Sequence, residues 1–158
     1  DGGVITPDVT IEGHDYSRLT YSLVYSGIIQ EYALDYVREH ADADEDFHLA
    51  DKDWDGFVAF AKTKEFDYRS SAKTYFDRMK KELEKDGLSK NMSAELDALQ
   101  KALEMDKETF LKLKKDEIVP FIEEEIAVRY HFQEAGIKIR LRYDDQLKKA
   151  LASPMIEI

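Results

Sequence analysis

Residues 15–40, DYSRLTYSLVYSGIIQEYALDYVREH, decide the fold class, because their apolar side chains recur at helical spacing on both sides of one glycine. Asp15 can cap a first helix, whose apolar face is formed by Tyr16, Leu19, Leu23 and Val24. Gly27 predicts a left-handed stop, since glycine adopts a positive φ without steric cost. A second helix is predicted from about residue 28 to residue 40.

The helical pattern continues through most of the remaining chain. Further helices are predicted around Trp54, across residues 72–87, from Ser93, across residues 107–135 (kinked by Pro120, or capped there by Asp116), and from Asp144 or Asp145 onward. Gly136 is predicted to end the helix before it, and residues 137–143, IKIRLRY, alternate apolar and basic side chains with the period of a β-strand. We therefore expect a mainly α fold, with about six helices around one core and one short strand at 137–143.

The composition limits the classes of partner. A chain of 158 residues suits one compact domain with a single core. The net charge of -11 would repel phosphate backbones and anionic lipid, so nucleic acid and membrane surfaces are poor partners. Cysteine is absent, which excludes disulfides and thiolate chemistry in this chain, and no apolar run reaches the length of a membrane span. We expect no cofactor.

The first twelve residues differ from the rest. DGGVITPDVTIE contains two glycines, a proline and several β-branched residues, a composition typical of extended backbone. The first residue is Asp1 rather than methionine, so we expect the chain to be a piece of a larger protein. The predicted division is an extended segment at 1–12 and a helical domain at 13–158.

One motif resembles half of a calcium-binding loop. Asp51, Asp53, Asp55 and the following Gly56 match positions one, three, five and six of an EF-hand loop, where acidic ligands build an oxygen cage. The twelfth position, however, is Lys62, where a bidentate glutamate is required. The alternative interpretation is an acidic helix N-terminus that complements the helix dipole. We expect no metal at these weak candidates.

Other candidates are assigned structural roles. Ser70 and Lys73 match the S-x-x-K pattern of serine–lysine catalysis, but the partner motifs of that chemistry do not occur, and a helix start is favoured. Glu123, Glu124 and Glu125 precede His131 without the Glu-x-x-His spacing of a di-iron site, and they are interpreted as part of a solvated helix face. The basic stripe of Lys138, Arg140 and Arg142 is interpreted as the solvent face of an edge strand. The alternatives are a grip on a carboxylate or phosphate, or pairing with acidic residues of a neighbouring helix or domain. We predict no catalytic residue in this chain.

Two stretches resemble a known family. The segment GGVITPDV, residues 2–9, resembles the Gly-Gly segment ending in Pro-Asp near the end of the catalytic core in C-terminal-processing (tail-specific) serine peptidases. Residues 23–37, LVYSGIIQEYALDYV, are similar to a stretch in the Bacteroidetes-type members, which carry a long helical extension after the core. The matching motif positions are Gly2, Gly3, Pro7, Asp8, Gly27 and Tyr36. The resemblance is close over residues 1–40 and looser toward residue 151.

The resemblance implies a division of labour. In the family, a serine nucleophile, a lysine general base and a PDZ-like domain all precede the Gly-Gly segment, so in this protein they would lie upstream of Asp1. The chain would then be the non-catalytic helical C-terminal domain of a periplasmic or envelope serine endopeptidase. Its partners would be the upstream core and PDZ-like domain, with protein or peptide substrates for the whole enzyme. The alternative is an independent helical interaction module of unrelated origin.

Overall fold

Seven α-helices and one 3-10 turn occupy residues 15–151, the part of the chain that the computed structural model describes, with side chains described for residues 15–144. The helices are α1 (Arg18–Tyr25), α2 (Ile28–Glu39), α3 (Asp51–Lys62), α4 (Ser71–Lys85), α5 (Ser93–Leu103), α6 (Lys107–Leu113) and α7 (Lys115–Leu151), and the 3-10 turn Ser89–Met92 precedes α5. The mainly helical prediction is confirmed. The segment predicted to be extended, with Gly2, Gly3, Pro7 and Asp8, lies outside the described residues.

The first two helices follow the sequence pattern, with one change at the cap. Ser17, and not Asp15, caps α1, because its hydroxyl oxygen accepts a hydrogen bond from the Thr20 amide at 3.3 Å. Gly27 has φ of 83°, the left-handed conformation that separates α1 from α2. The apolar faces of both helices point inward, and their buried residues include Leu19, Leu23, Ile28, Ile29 and Ala33.

One core unites five of the helices, which we call the body: α1, α2, α3, α6 and α7. Helix α2 packs along α7, and α3 packs on α6. The most deeply buried side chains are Leu19, Leu23, Ile29, Phe57, Leu111, Ile118, Ile122, Ile126 and Ile139. Among the described residues, no helix is both long enough and apolar enough to span a bilayer.

Helix α7 is a hairpin of two helical halves. Its one residue outside helical geometry is Phe132, with φ of 66° and ψ of -171°, where the chain reverses. The halves face each other closely, since a Cβ added at Gly136 would overlap Val128 Cγ2. Pro120 lies inside the first half with helical geometry around it, so the bend is at Phe132 rather than at the proline.

The predicted strand at 137–143 is wrong. Residues 137–143 are helical, no strand occurs between residues 15 and 151, and the helix continues through Gly136 instead of ending there. The residues that face the core are Ala135, Ile139 and Tyr143, four positions apart, whereas Ile137 is 47% exposed. The helical spacing therefore overrides the apolar–basic alternation, because burial against the first half of α7 is available only to a helix face.

Helices α4 and α5 form a projecting hairpin, which we call the arm (residues 71–103). They pack mainly on each other and on the 3-10 turn between them. Phe76 and Leu96 are the arm's buried apolar residues, and neither belongs to the core of the body. Tyr75 and Met79, also in α4, are exposed. The prediction of one core therefore holds for the body but not for the arm.

Candidate functional site

A cleft of about 780 Å³ lies at the base of the arm, between the arm and the body. Its volume is that of a ligand-binding pocket. We call it the arm–body cleft, and its lining residues are Ser17, Arg18, Tyr68–Lys73, Ala102–Asp106, Phe110, Leu113 and Lys114. The lining thus combines the start of α1, both connections between arm and body, and the end of α6.

Local capping fixes the helix ends that shape the arm–body cleft. The Ser70 hydroxyl oxygen accepts a hydrogen bond from the Lys73 amide at 3.0 Å and begins α4. The Asp106 carboxylate accepts one from the Thr109 amide at 2.7 Å and begins α6. Both helices therefore start at the cleft, and the two caps determine where the chain enters and leaves the arm.

Lys107 holds the two connections together. Its ammonium donates a hydrogen bond to the Lys64 carbonyl at 2.8 Å. The same ammonium lies 5.0 Å from the centre of the Phe66 ring and 5.7 Å from that of Tyr68. A cation over two aromatic faces stabilises this corner beyond the hydrogen bond alone. The wall of the cleft that contains Tyr68 is thereby fixed to α6.

Ion pairs surround the arm–body cleft without filling it. Arg69 pairs with Asp67 at 3.2 Å, and Arg18 lies 3.9 Å from the same carboxylate. Hydrogen bonds from Arg69 lower the pKa of Asp67 below its ordinary value. Leu113, by contrast, is an apolar residue of the lining and is 63% exposed. The cleft can therefore accept apolar groups.

Glu108 joins α3 to α6 beside the cleft. Its carboxylate accepts hydrogen bonds from Lys62 at 2.6 Å and from Lys112 at 2.8 Å. The bonds from Lys112 and Lys62 lower the pKa of Glu108 to about 2. Lys62, the residue at the twelfth position of the calcium-like motif, therefore forms a structural ion pair.

The calcium-like motif lies in a helix rather than in a loop. Asp51, Asp53 and Asp55 belong to the first turns of α3, and Asp51 pairs with Lys115 at 3.3 Å. Among the residues described, no group of three or more histidine, aspartate or glutamate side chains is arranged to hold a metal ion. The motif therefore has the position expected from the alternative interpretation, in which acidic residues at the start of a helix complement the helix dipole.

Ser70 and Lys73 are close together but are engaged separately. The Lys73 ammonium pairs with Asp77 at 3.0 Å and lies 5.8 Å from the centre of the Phe76 ring. The Ser70 hydroxyl is the cap of α4. The motif therefore builds a helix start.

The basic stripe contacts acidic residues, one of the alternatives derived from the sequence. Lys138 pairs with Glu45 at 3.3 Å, and Arg142 pairs with Asp46 at 2.8 Å, both across to the acidic connection between α2 and α3. The Arg140 guanidinium contacts Glu124 on the first half of α7. Burial raises the pKa of Glu124 despite this contact. The stripe thus links the second half of α7 both to the acidic connection and to the first half of α7.

A buried carboxylate, that of Glu123, lies at the centre of this arrangement, so the interpretation of Glu123 as part of a solvated helix face is wrong. Glu123 is 2% exposed, and its oxygens accept hydrogen bonds from Arg142 at 2.8 Å, from the Leu49 amide at 2.7 Å and from the Tyr143 hydroxyl. Burial, together with Glu123, raises the pKa of Tyr143 to about 12. We call Glu123, Arg142, Tyr143 and Leu49 the clasp. The clasp joins three segments that are distant in sequence, so the spacing of residues along the chain could not predict it.

Both described positions of the family motif have structural roles. Gly27 separates α1 from α2, and the Tyr36 ring stacks on His40 at 3.8 Å between centroids. The sequence does not predict the arm–body cleft, because its lining comes from four separate segments. The one available signal was Leu113, an apolar residue among lysines near the end of α6.

Comparison with known proteins identifies the family to which this chain belongs. A search of the curated proteins and a search of the solved structures found no match. A family model described as "Probable PDZ-protease, C-terminal helical domain" matches residues 19–153. This match covers most of the chain and includes every helix described above. The chain therefore belongs to the family of C-terminal helical domains of probable PDZ-proteases.

Proposed function

We propose that this chain is the non-catalytic helical C-terminal domain of a C-terminal-processing serine peptidase. The family match over residues 19–153 carries the proposal, because it links these helices to a protease with a PDZ domain. The separate engagement of Ser70 and Lys73 supports a non-catalytic role for this chain. By the resemblance of residues 2–9 and 23–37, the Ser/Lys machinery and a PDZ-like domain lie upstream of Asp1, and the protein belongs to the periplasm or cell envelope.

We further propose that the arm–body cleft is the surface through which the domain contacts the peptidase core or its polypeptide substrates. The cleft has the volume of a binding pocket and includes Leu113, which is 63% exposed. Met105, also in the lining, is 39% exposed. Apolar side chains that are exposed in a concave surface are typical of contact sites. This contact would serve core packing, substrate access or assembly.

The test combines this chain with the peptidase and PDZ region of the same protein, supplied as a separate polypeptide. The chain alone should not cleave a fluorogenic peptide, and it should bind the peptidase region in analytical ultracentrifugation. Leu113→Asp should weaken that binding at least tenfold, since a charge enters an apolar contact. The matched control is Tyr75→Asp on the outer face of the arm, which should bind normally. Peptide cleavage by the chain alone would refute the non-catalytic role, and undiminished binding by Leu113→Asp would refute the role of the cleft.

A further inference from the structure

A second, smaller cleft of about 290 Å³ lies between α2 and α3, away from the arm. Four aromatic rings line it, those of Tyr32, Tyr36, His40 and Phe60. The ring centroids of Tyr32 and Phe60 are 5.7 Å apart, and those of Tyr32 and Tyr36 are 6.4 Å apart. We call this site the aromatic cleft. Its size suits a single side chain better than a large ligand.

The rings of the aromatic cleft are held in place. The Tyr32 hydroxyl donates a hydrogen bond to the Asp53 carbonyl at 2.8 Å, which connects α2 to α3. Tyr36 stacks on His40 and packs edge-on against Phe47, with centroids 5.6 Å apart. Burial, followed by the charge of Asp53, raises the pKa values of Tyr32 and Tyr36, so both phenols stay neutral at physiological pH. The cleft is therefore preformed, which reduces the entropy cost of binding.

Two carboxylates of the aromatic cleft have no side-chain partner among the described residues. Glu39 and Asp53 both line it, and neither carboxylate forms a hydrogen bond or salt bridge with any residue that the structure describes. Asp35, a third acidic residue of the lining, is paired with Arg38 at 3.1 Å. Lys52 contributes the lining's one formal positive charge. Free carboxylates next to aromatic rings, whose faces carry partial negative charge, favour a cation.

The same combination of ring and carboxylate already holds a cation elsewhere in this molecule. The Lys64 ammonium lies 4.9 Å from the centre of the Phe60 ring and pairs with Glu31 at 2.7 Å. Lys64 is not part of the lining of the aromatic cleft. Phe60 therefore takes part in one such contact inside the domain and also lines the aromatic cleft.

We propose that the aromatic cleft binds the cationic side chain of an arginine or lysine residue from a polypeptide. The rings would pack on the alkyl stem and the charged head, and Glu39 and Asp53 would supply the counter-charge. The narrow volume selects a single side chain, and the carboxylates exclude acidic and disfavour neutral ones. This inference goes beyond the proposed function and does not depend on it, since the cleft is formed by α2, its C-cap residue His40 and α3, and shares no residue with the arm–body cleft.

The test is an NMR titration of the whole chain with N-acetyl-arginine amide, followed at the amides of α2 and α3. The matched ligand is N-acetyl-citrulline amide, which has nearly the same shape without the charge. We expect a dissociation constant of about 1–10 mM for the arginine compound, as suits one side chain, and binding at least tenfold weaker for citrulline. Agmatine, a free amine with the same head group, distinguishes a small-molecule source. Equal binding of citrulline refutes the cationic ligand, and binding of agmatine alone refutes the polypeptide source.

Variants locate the interaction. Glu39→Gln, an exposed change that should leave the fold intact, should weaken binding of the arginine compound about threefold to tenfold. Tyr36→Leu should weaken it by a similar factor through the lost ring. The control is Asp97→Asn on the arm, which changes the net charge equally but lies outside the aromatic cleft. Equal weakening by Asp97→Asn, or none by Glu39→Gln, would show that the effect is one of net charge or lies elsewhere, and would overturn the proposal.

Discussion

Glu123 Oε1 and Arg142 Nη2 lie 2.8 Å apart, although nineteen positions separate the two residues within α7. A straight helix would place them about 28 Å apart along its axis, at about 1.5 Å per residue. The contact therefore exists because the chain reverses at Phe132. It lies where the acidic connection, through the Leu49 amide, meets both halves of α7.

Removing the arginine from the clasp should destabilise the domain. Arg142→Met leaves the Glu123 carboxylate buried without its counter-charge, and we expect a loss of about 3 kcal/mol in the free energy of unfolding. Urea denaturation measures this loss in the free energy of unfolding. Glu123→Gln combined with Arg142→Met should recover part of the loss, because the amide oxygen can still accept from Leu49. Lys138→Ala is the control, since that pair is exposed and should contribute less than about 0.5 kcal/mol. A loss from Arg142→Met as small as the control's would show that the clasp does not stabilise the hairpin.

The two halves of α7 approach each other closely at Gly136, so we expect any larger residue at this position to destabilise the domain. Gly136→Ala should destabilise by about 1–2 kcal/mol, because the overlap with Val128 outweighs the better helix propensity of alanine. Gly56→Ala is the matched control, since its Cβ would meet only the Tyr32 hydroxyl at 3.8 Å. That change should stabilise α3 by about 0.5–1 kcal/mol. Thermal unfolding should therefore show a lower melting temperature for Gly136→Ala and a higher one for Gly56→Ala. Melting temperatures that shift in the same direction would contradict the close packing of the two halves of α7.

Phe132 has a backbone conformation that is nearly restricted to glycine, and its side chain is 79% exposed. Phe132→Gly should therefore stabilise the domain by about 1 kcal/mol, because about 1–3 kcal/mol of strain is relieved against about 0.5–1 kcal/mol of unfolded-state entropy. Phe132→Ala retains the strain and should not stabilise. Equal melting temperatures of the glycine and alanine variants would contradict the reversal at this residue.

The arm should open independently of the body. Leu96→Ala removes one of the arm's buried residues, and we expect faster hydrogen exchange in residues 71–103 while amides of the body keep their protection. Leu111→Ala, in the core of the body, should lower protection throughout. Hydrogen exchange followed by mass spectrometry distinguishes the two patterns. Uniform loss of protection in Leu96→Ala would show that arm and body unfold as one unit.

Two partly buried glutamates, Glu117 and Glu124, should affect acid stability with opposite signs. Burial opposes ionisation of Glu117, but hydrogen bonds from Thr20 and Ser17 hold its pKa below the ordinary value. Its contribution is present above the unfolded pKa of about 4.3 and is lost as pH falls through the folded pKa. Burial raises the pKa of Glu124, so its contribution is present at low pH and is lost as pH rises through the folded pKa.

Thermal unfolding between pH 6 and pH 3 tests this difference. Glu117→Gln should flatten the loss of stability below about pH 4.5, and Glu124→Gln should steepen it. The slope against pH is the quantity compared, because each substitution also changes the stability at neutral pH. Equal slopes for the two variants would contradict the opposite environments of these carboxyl groups.

Particular residues show how far the sequence could predict the fold and the site. The helix predicted around Trp54 is confirmed, and Trp54, Phe57, Val58 and Ala61, which recur at spacings of three and four, are all buried in α3. Such faces are formed by apolar residues three and four positions apart, a pattern that a short stretch of sequence is enough to reveal. The acidic contacts of the basic stripe were one alternative, but the partners could not be assigned. The arm–body cleft and the aromatic cleft could not be predicted, since their lining residues become neighbours only when separate helices pack.

The sequence by itself determined the helical class, the left-handed turn at Gly27, the apolar faces of the helices and the resemblance to a peptidase family. The tertiary structure decided that residues 137–143 are helical, that α7 reverses at Phe132, and that the arm stands apart from the body. The physical reason is the range of the interactions. Helix faces depend on residues three or four apart, whereas the reversal depends on contacts such as Arg140–Glu124 and Tyr143–Glu123, sixteen and twenty positions apart. Those contacts are formed only once the chain has folded back, so they override a local pattern that pointed to a strand.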